Sequence, residues 1–315
     1  MISVIICSKS PTLLKAVSAS ILETIGVPFE IIGIENGDRK YGICQAYNIG
    51  AAKAKYDIFC FSHEDILFVT QNWGENVIRH LQDKSVGLIG VLGGGPILMV
   101  PSIHAKDTMK AESNCIFVDV NSGVKTSYFA TATPENNALI KETTGVDGTL
   151  MITRRDIYDE FQFDDITLTD FHGYDVDYSI QIQSKYKVCV VFDVLLEHYF
   201  KGGANKAYIT ELLKLSHKWK DKFPIIHANA PETNYTHLHW IAMVNFINFL
   251  FKLNYSWGFI LKQYSFLSFN RFFKLRYFLS VIKNVLFPKF FKYLIKSIII
   301  SPSQENPLPL KVEKS

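Results

Sequence analysis

The sequence predicts an α/β fold: a mostly parallel sheet with helices on both faces, followed by a basic helical extension. Three observations predict it. Short apolar runs rich in β-branched residues alternate with helix-patterned segments as far as Pro224, the pattern of parallel strands joined by crossover helices. The composition, 48% hydrophobic and 20% charged over 315 residues, supplies apolar side chain for one large domain and an appendage, and excludes global disorder. Charge is also segregated. Up to Glu232 there are 22 Lys and Arg against 28 Asp and Glu, whereas Thr233–Gln304 carries nine basic residues and no acidic one. An acidic body with a basic, aromatic-rich arm argues against nucleic-acid binding and for two tasks in two segments.

Each element follows from local pattern. Ile2–Cys7 is an apolar, β-branched run and reads as a buried strand. Ser10-Pro11 supplies an N-cap and a first-turn proline for a helix to about Ile25. Phe29–Ile34 is a second strand, closed by the turn residues Glu35-Asn36-Gly37-Asp38. A helix over Tyr41–Lys55, with its small alanines, leads to a third strand at Asp57–Phe61. Asn72–Gln82 is helical, and Val86–Leu92 is a fourth strand running into a flexible Gly93-Gly94-Gly95. Residues 96–145 lose the rhythm and read as an irregular insertion over the sheet. Order returns with a strand at Gly148–Thr153, helices at Arg154–Phe161 and Asp175–Ser184, a strand at Val188–Val194 and a helix at Ile209–Lys222 closed by Pro224.

From His239 to Ile300, Phe, Tyr, Leu and Ile are interleaved with Lys or Arg, and no window is both uncharged and long enough to span a bilayer. Such a mixture suits helices, broken near Asn254 and Pro288, lying on an anionic membrane surface. A helical subdomain docking on the body or on a partner chain, a second copy included, is the alternative. The tail 301–315 is polar and proline-containing and reads as disordered. Five cysteines, odd in number and without a CxxC pair, fit a reducing cytosol, and the N-terminus lacks the charged region of a secretory signal.

Chemistry is sought beyond the carboxyl ends of the strands, where loops and helix N-termini converge. GxxxxGK[ST], GxGxxG after the first strand, HExxH and GxSxG are all absent, which removes the main support for nucleotide hydrolysis, dinucleotide redox, zincin and α/β-hydrolase chemistry. What stands at the strand ends is Ser62-His63-Glu64-Asp65, then Asp170-Phe171-His172-Gly173-Tyr174-Asp175-Val176-Asp177, and His198. On an extended strand His63 and Asp65 share a side and suit a divalent cation. Taken singly, each also reads blandly: capping acids, acids at a helix start, a structural histidine. Asp175 and Asp177 lie about 200° apart on a helix, so one of them faces a given cleft.

In their order and spacing these pieces resemble the family 2 glycosyltransferases of GT-A fold, in particular the bacterial glycosyltransferase-like branch, over about residues 1–222. MISVIICSKS resembles the nucleotide-binding strand, EIIGIENGD the second strand with its acidic residue, and AYNIGAAKAKYDIFCFSHEDI the helix that leads into a DxD-type motif. VDGTLMITRRDIYDEFQFDD resembles the segment before the acceptor site, FHGYDVDYSIQIQ the catalytic helix, and LLEHYF the late histidine. The resemblance implies a domain at 1–224, followed by the extension at 225–300. It implies an inverting transferase that uses a nucleotide-sugar donor, UDP-sugar favoured, and Mn²⁺ or Mg²⁺. Ser8, Glu35, Asp38, Asn48 and Glu64 would serve the nucleotide, and Asp65, His63 and His198 the metal and diphosphate. Asp175 would be the general base with Asp177 supporting it, and Asp147, His172 and Tyr174 would line the acceptor side. The acceptor would be a glycan or lipid-linked sugar of surface polysaccharide synthesis, met by a cytoplasmic enzyme peripheral on the inner face of the cell membrane. Two positions depart from the family: His63 replaces the first Asp of DxD, and Tyr174 stands where a Glu precedes the catalytic Asp. The alternatives are a non-catalytic nucleotide-sugar-binding protein and a membrane-surface scaffold.

Overall fold

A computed structural model of the chain describes residues 1–101, 110–127, 138–200, 205–230 and 232–292. It divides into two compact units after Tyr255. The first unit thus runs past the composition boundary near Pro224 and takes in one more helix. It begins with β1 Ile2–Ser8, α1 Pro11–Thr24, β2 Phe29–Glu35, α2 Ile43–Lys53, β3 Ile58–Ser62, β4 Ile66–Phe68 and α3 Trp73–Leu81. It continues through β5 Val86–Gly90, β6 Leu92–Gly95, β7 Lys110–Ser113, β8 Cys115–Asp119, β9 Lys125–Ser127, β10 Ile140–Thr143, β11 Gly145–Val146 and β12 Leu150–Arg154. It closes with α4 Arg155–Glu160, α5 Tyr174–Gln183, β13 Lys187–Val191, β14 Leu196–Phe200, α6 Lys206–Lys218 and α7 Tyr235–Lys252.

The main sheet has seven strands in the order β10-β13-β5-β12-β3-β1-β2. β1 is parallel to β2 and β3, and β13 to β5, as expected; β12 is antiparallel to both its neighbours and β10 to β13, so the sheet is mixed. Alternation along the strands builds two apolar layers. Ile2, Val4, Ile6, Cys60, Leu150 and Ile152 enter one, while Ile5, Phe59, Phe61 and Met151 enter the other. The near-continuous hydrophobic runs that predicted the strands are therefore strands covered on both faces. Ser10 caps α1 by accepting from Leu13 N–H, with Pro11 in the first turn.

The segment expected to be irregular carries strands. Gly93–Gly95, expected to be a flexible connection, belongs to β6 in the three-stranded sheet β11-β6-β7. A Cβ on Gly93 would lie 2.4 Å from the Gly145 carbonyl, and one on Gly95 2.2 Å from Thr144 Oγ1, so the glycines permit close strand approach. A four-stranded sheet, β4-β14-β8-β9, is built from β4 and three strands that the sequence pattern did not separate from loop. Each is too short for alternation to show, and pairing supplies what propensity does not. α2 begins at Ile43 rather than Tyr41, because Tyr41 N–H donates to the buried Asn36 side chain, which donates back to the Tyr41 carbonyl.

In the second unit, α8 spans Trp257–Ser268 and α9 Leu275–Val281, the latter continuing through a π-helical segment, Ile282–Leu286, into further helix. The expected break at Asn254 is present, with φ of 55°. At Pro288 the helix does not break: the π-helical segment just before it widens the turn, which accommodates a residue without an N–H. Tyr264 stacks on Phe278 at 5.0 Å and donates to its carbonyl, joining α8 to α9. Among the described residues no helix is long and apolar enough to cross a membrane. The tail 301–315 and the end of the extension lie outside the described residues.

Candidate active site

Two strand pairings assemble one site. β3 ends at Ser62, and His63 N–H continues the ladder to the Thr149 carbonyl at 3.1 Å, which sets the turn before β12 beside it. β14 pairs antiparallel with β4, His198 opposite Ile66, and Tyr199 N–H donates to the Asp65 carbonyl at 2.8 Å. His198 is thereby carried back to Asp65 from far along the chain. His63 Nδ1 lies 3.7 Å and His198 Nε2 3.5 Å from Asp65 Oδ1, and the two imidazole rings are 5.6 Å apart. The three ligand atoms all fall within 4.8 Å of one another, and the His198 side chain is only 11% exposed. Burial lowers the His63 pKa. Burial alone would raise the Asp65 carboxyl, but the bond to His198 and the adjacent imidazoles hold it below the ordinary range.

The segment Asp147-Gly148-Thr149 serves nearly every member. Asp147 Oδ1 accepts from Thr149 N–H and from the Thr149 hydroxyl, whose oxygen lies 3.4 Å from His198 Nδ1. Gly148 N–H donates to Asp175 Oδ2 at 3.1 Å, and Val176 N–H donates to Asp175 Oδ1 at 2.9 Å. Burial first, and the Asp147 charge second, push Asp175 up from 3.8 to about 7 despite those two donors. A Cβ on Gly148 would lie 2.0 Å from Tyr174 Oη, so a side chain is excluded where the tyrosine reaches past. Tyr174 Oη sits 2.8 Å from His63 Nε2.

Of the acids at the start of α5, Asp175 faces this cluster and Asp177 does not. The Asp177 side chain is 2% exposed and is held by Trp219 Nε1 at 2.7 Å, Lys218 Nζ at 2.8 Å and Gln181 Nε2 at 2.8 Å. The expected supporting catalyst is instead a tie between α5 and the end of α6. Asn48 likewise has internal partners: its amide donates to the Phe163 carbonyl and Asp165, and its oxygen accepts from Tyr158. Glu64 accepts from the Ser8 hydroxyl at 2.6 Å and Ser10 N–H at 3.1 Å, which locks the end of β1 to the start of α1. Both side chains, expected at the nucleotide, have hydrogen-bond partners within the protein. Tyr174, expected on the acceptor side, is buried behind His63. Glu35 and Asp38 stand exposed at the end of β2. His172 packs edge-on against Tyr208 at 5.1 Å, and burial lowers its pKa.

Pattern reasoning overlooked Tyr47, Thr149 and Tyr208. Burial, then the charges of Asp175 and Asp147, raises Tyr208 to about 12, and its ring packs against His172 at 5.1 Å. No spacing in the sequence signals these residues.

Two imidazole nitrogens and a carboxylate oxygen at this separation form a donor set that suits a divalent cation, and beside it the buried Asp175 carboxyl is raised to about 7. Residues 3–216 match the profile of the Glycosyltransferase like family. No curated protein matches the sequence. Among solved structures, a crystal structure of GalNAc-T7 with UDP, GalNAc and Mn²⁺ superposes with a TM-score of 0.52 at 12% identity, over 93% of this chain. This chain spans 58% of that protein's length, and the likeness is one of fold. A crystal structure of A197 from STIV, 11% identical, covers 64% of this chain and 86% of that one; its TM-score of 0.36 carries no argument.

Proposed function

This chain belongs to the glycosyltransferase-like family and is a glycosyltransferase of GT-A fold, and from that premise we propose that it is an inverting enzyme. It moves a sugar from a nucleotide-diphosphate donor, UDP-sugar favoured, to a hydroxyl of a glycan or lipid-linked acceptor in surface polysaccharide synthesis. The observation that carries the reading is the meeting of His63, Asp65 and His198 with a carboxyl raised to about 7, Asp175, across the single segment 147–149. The UDP preference takes support from the UDP and Mn²⁺ in the GalNAc-T7 structure.

Asp175 accepts the acceptor hydroxyl proton as the acceptor oxygen bonds the anomeric carbon and the bond to the diphosphate breaks. A base is most useful when its pKa lies near working pH, and Asp175 meets that condition. The bonds from Gly148 and Val176 hold the carboxylate in one orientation, so no reorientation is needed during transfer. Asp65, His63 and His198 would hold the divalent cation, which when bound neutralises charge gathering on the departing diphosphate. The imidazole-rich set favours Mn²⁺ over Mg²⁺, which takes oxygen ligands. Glu35 and Asp38, exposed at the end of β2, would contact the nucleoside, with the buried Ser8 at the end of β1 held by Glu64.

The C-terminal unit exposes Leu261, Phe269, Leu275, Leu279, Phe287 and Phe291 in a stretch without an acidic residue. This supports a peripheral site on the anionic inner face of the cell membrane, where lipid-linked acceptors are met.

The test is turnover of a panel of nucleotide sugars, with and without Mn²⁺, by wild type and Asp175→Asn. Donor turnover abolished in the folded variant supports the assignment. Binding of a nucleotide sugar with no turnover by wild type would favour the non-catalytic reading.

A further inference from the structure

In the helix that begins at Leu275, exposure does not follow a plain α-helical period. Leu275, Leu279, Phe287, Phe290 and Phe291 are 43–61% exposed, whereas Val281, Val285 and Leu286 on the same helix are buried. At about 100° per residue, an unbroken α-helix would place Phe287 about 120° and Phe291 about 160° from Leu275. The exposed apolar residues would then spread over almost half the circumference, and the buried Leu286, about 20° from Leu275, would fall among them. The helix is not unbroken. Across Ile282–Leu286 it is π-helical, with Phe287 N–H donating to the Ile282 carbonyl, so the chain beyond lags by about one α-helical step. With that lag Phe287, Phe290 and Phe291 stand at about 20°, −40° and 60° from Leu275, and Leu279 at about 40°, in one stripe about 100° wide. Leu286 moves to about −80°, on the side of the buried Val281.

We propose that the π-helical segment Ile282–Leu286 is a phase corrector: it gathers Leu275, Leu279, Phe287, Phe290 and Phe291 into one face by which this helix lies in the surface of an anionic bilayer. The inference rests on the membrane reading of the C-terminal unit and names the face that makes the contact. The occupant follows from charge. Lys274, Arg276, Lys283, Lys289 and Lys292 lie along this helix, and no acidic residue does. Arg276, about 100° from Leu275, borders the stripe. Lys283 stands at its margin, where a four-carbon stem lies along the rings while the ammonium reaches the headgroups. Rings on one face with cations beside them and no acid suit anionic lipid. A second copy applying the same face would instead set these cations against their own kind, since a two-fold interface uses one patch twice. The rings are ordered before any contact: Phe287 and Phe291 lie 4.7 Å apart, and Phe290 meets Trp257 edge-on at 5.5 Å.

The experiment measures binding of the full chain to vesicles of phosphatidylethanolamine and phosphatidylglycerol. Phe287→Ser combined with Phe291→Ser should weaken binding by at least on the order of tenfold, while Leu22→Ser, at an exposed leucine of α1, stays within about twofold of wild type. Two length variants test the lag itself. Deleting Asn284 lets an ordinary α-helix carry the same stripe, so binding should stay within about twofold; inserting an alanine after Asn284 turns the three rings by about 100° and should weaken binding as the serine pair does. A serine pair that binds like wild type overturns the stripe, and a folded insertion variant that does so, or a folded deletion variant that binds tenfold or more weakly, overturns the phase correction. If the insertion variant fails to fold by circular dichroism, the deletion and the serine pair decide. Wild type that binds no vesicles refutes the membrane reading and the stripe with it, whereas wild-type binding matched by the serine pair refutes the stripe alone. Self-association of wild type that the serine pair abolishes, without vesicle binding, would give the face to a second copy and overturn the proposal.

Discussion

Asp147→Asn should make the enzyme a better catalyst in acid. Asp175 sits at about 7 against an ordinary 3.8, with burial the larger cause and the Asp147 charge the next. The difference corresponds to about 4 kcal/mol at ~1.4 kcal/mol per pH unit. As the second cause, Asp147 accounts for less than half of it, so removing its charge should lower the Asp175 midpoint by about one pH unit. Asparagine keeps the carbonyl that accepts from Thr149 N–H and Oγ1–H, so the turn at 147–149 survives. The sign follows from the role: a base works ionised, so activity falls as pH drops through its midpoint. At pH 6 the ionised fraction rises from roughly a tenth to a half, about fivefold. The assay is kcat/KM for donor turnover across pH 5–9 with saturating Mn²⁺. NMR titration of the Gly148 amide, which donates to Asp175 Oδ2, reads the same midpoint without turnover. An acid limb that stays put, or moves upward, would refute the electrostatic coupling of the two acids.

Three further predictions follow from the same geometry. Asp175→Asn should lower transfer by about 10²–10⁴-fold with folding intact, checked by donor turnover beside a circular dichroism melt. Lys218→Met should destabilise by about 3 kcal/mol in urea, because Asp177 is left buried without its cation. It should also flatten the acid dependence: although burial opposes it, Lys218 and Thr167 hold Asp164 down at about 2. That stability is present above about pH 4 and lost as pH falls toward 2, so the variant should show a shallower slope there. Deleting the chain after Tyr255 should abolish flotation with anionic vesicles while neutral vesicles bind neither form; equal flotation of both proteins would sink the membrane reading.

What local pattern reveals in this chain is considerable. The apolar β-branched runs at Ile2–Ser8 and Ile58–Ser62, the Ser10-Pro11 helix start and the order of the small polar motifs are each set by neighbours in sequence. They were enough to read the α/β class, the family and the trio His63, Asp65 and His198. The antiparallel β12 and the glycine-built β6 were not legible, because strand direction and pairing depend on partners elsewhere in the chain. The same holds within the site. Spacing says that Asp175 and Asp177 diverge on a helix, but only the position of Lys218 and Trp219 decides that Asp177 is the one consumed by structure. His63 and Tyr174, taken separately, are two departures from a pattern; their 2.8 Å contact exists because β12 lies between β3 and β5 and brings Gly148 between them. Periodicity and capping act over a few residues and are written in the sequence directly. The hydrogen-bond partner of a side chain a hundred positions away is fixed by strand order and register, and those belong to the tertiary structure alone.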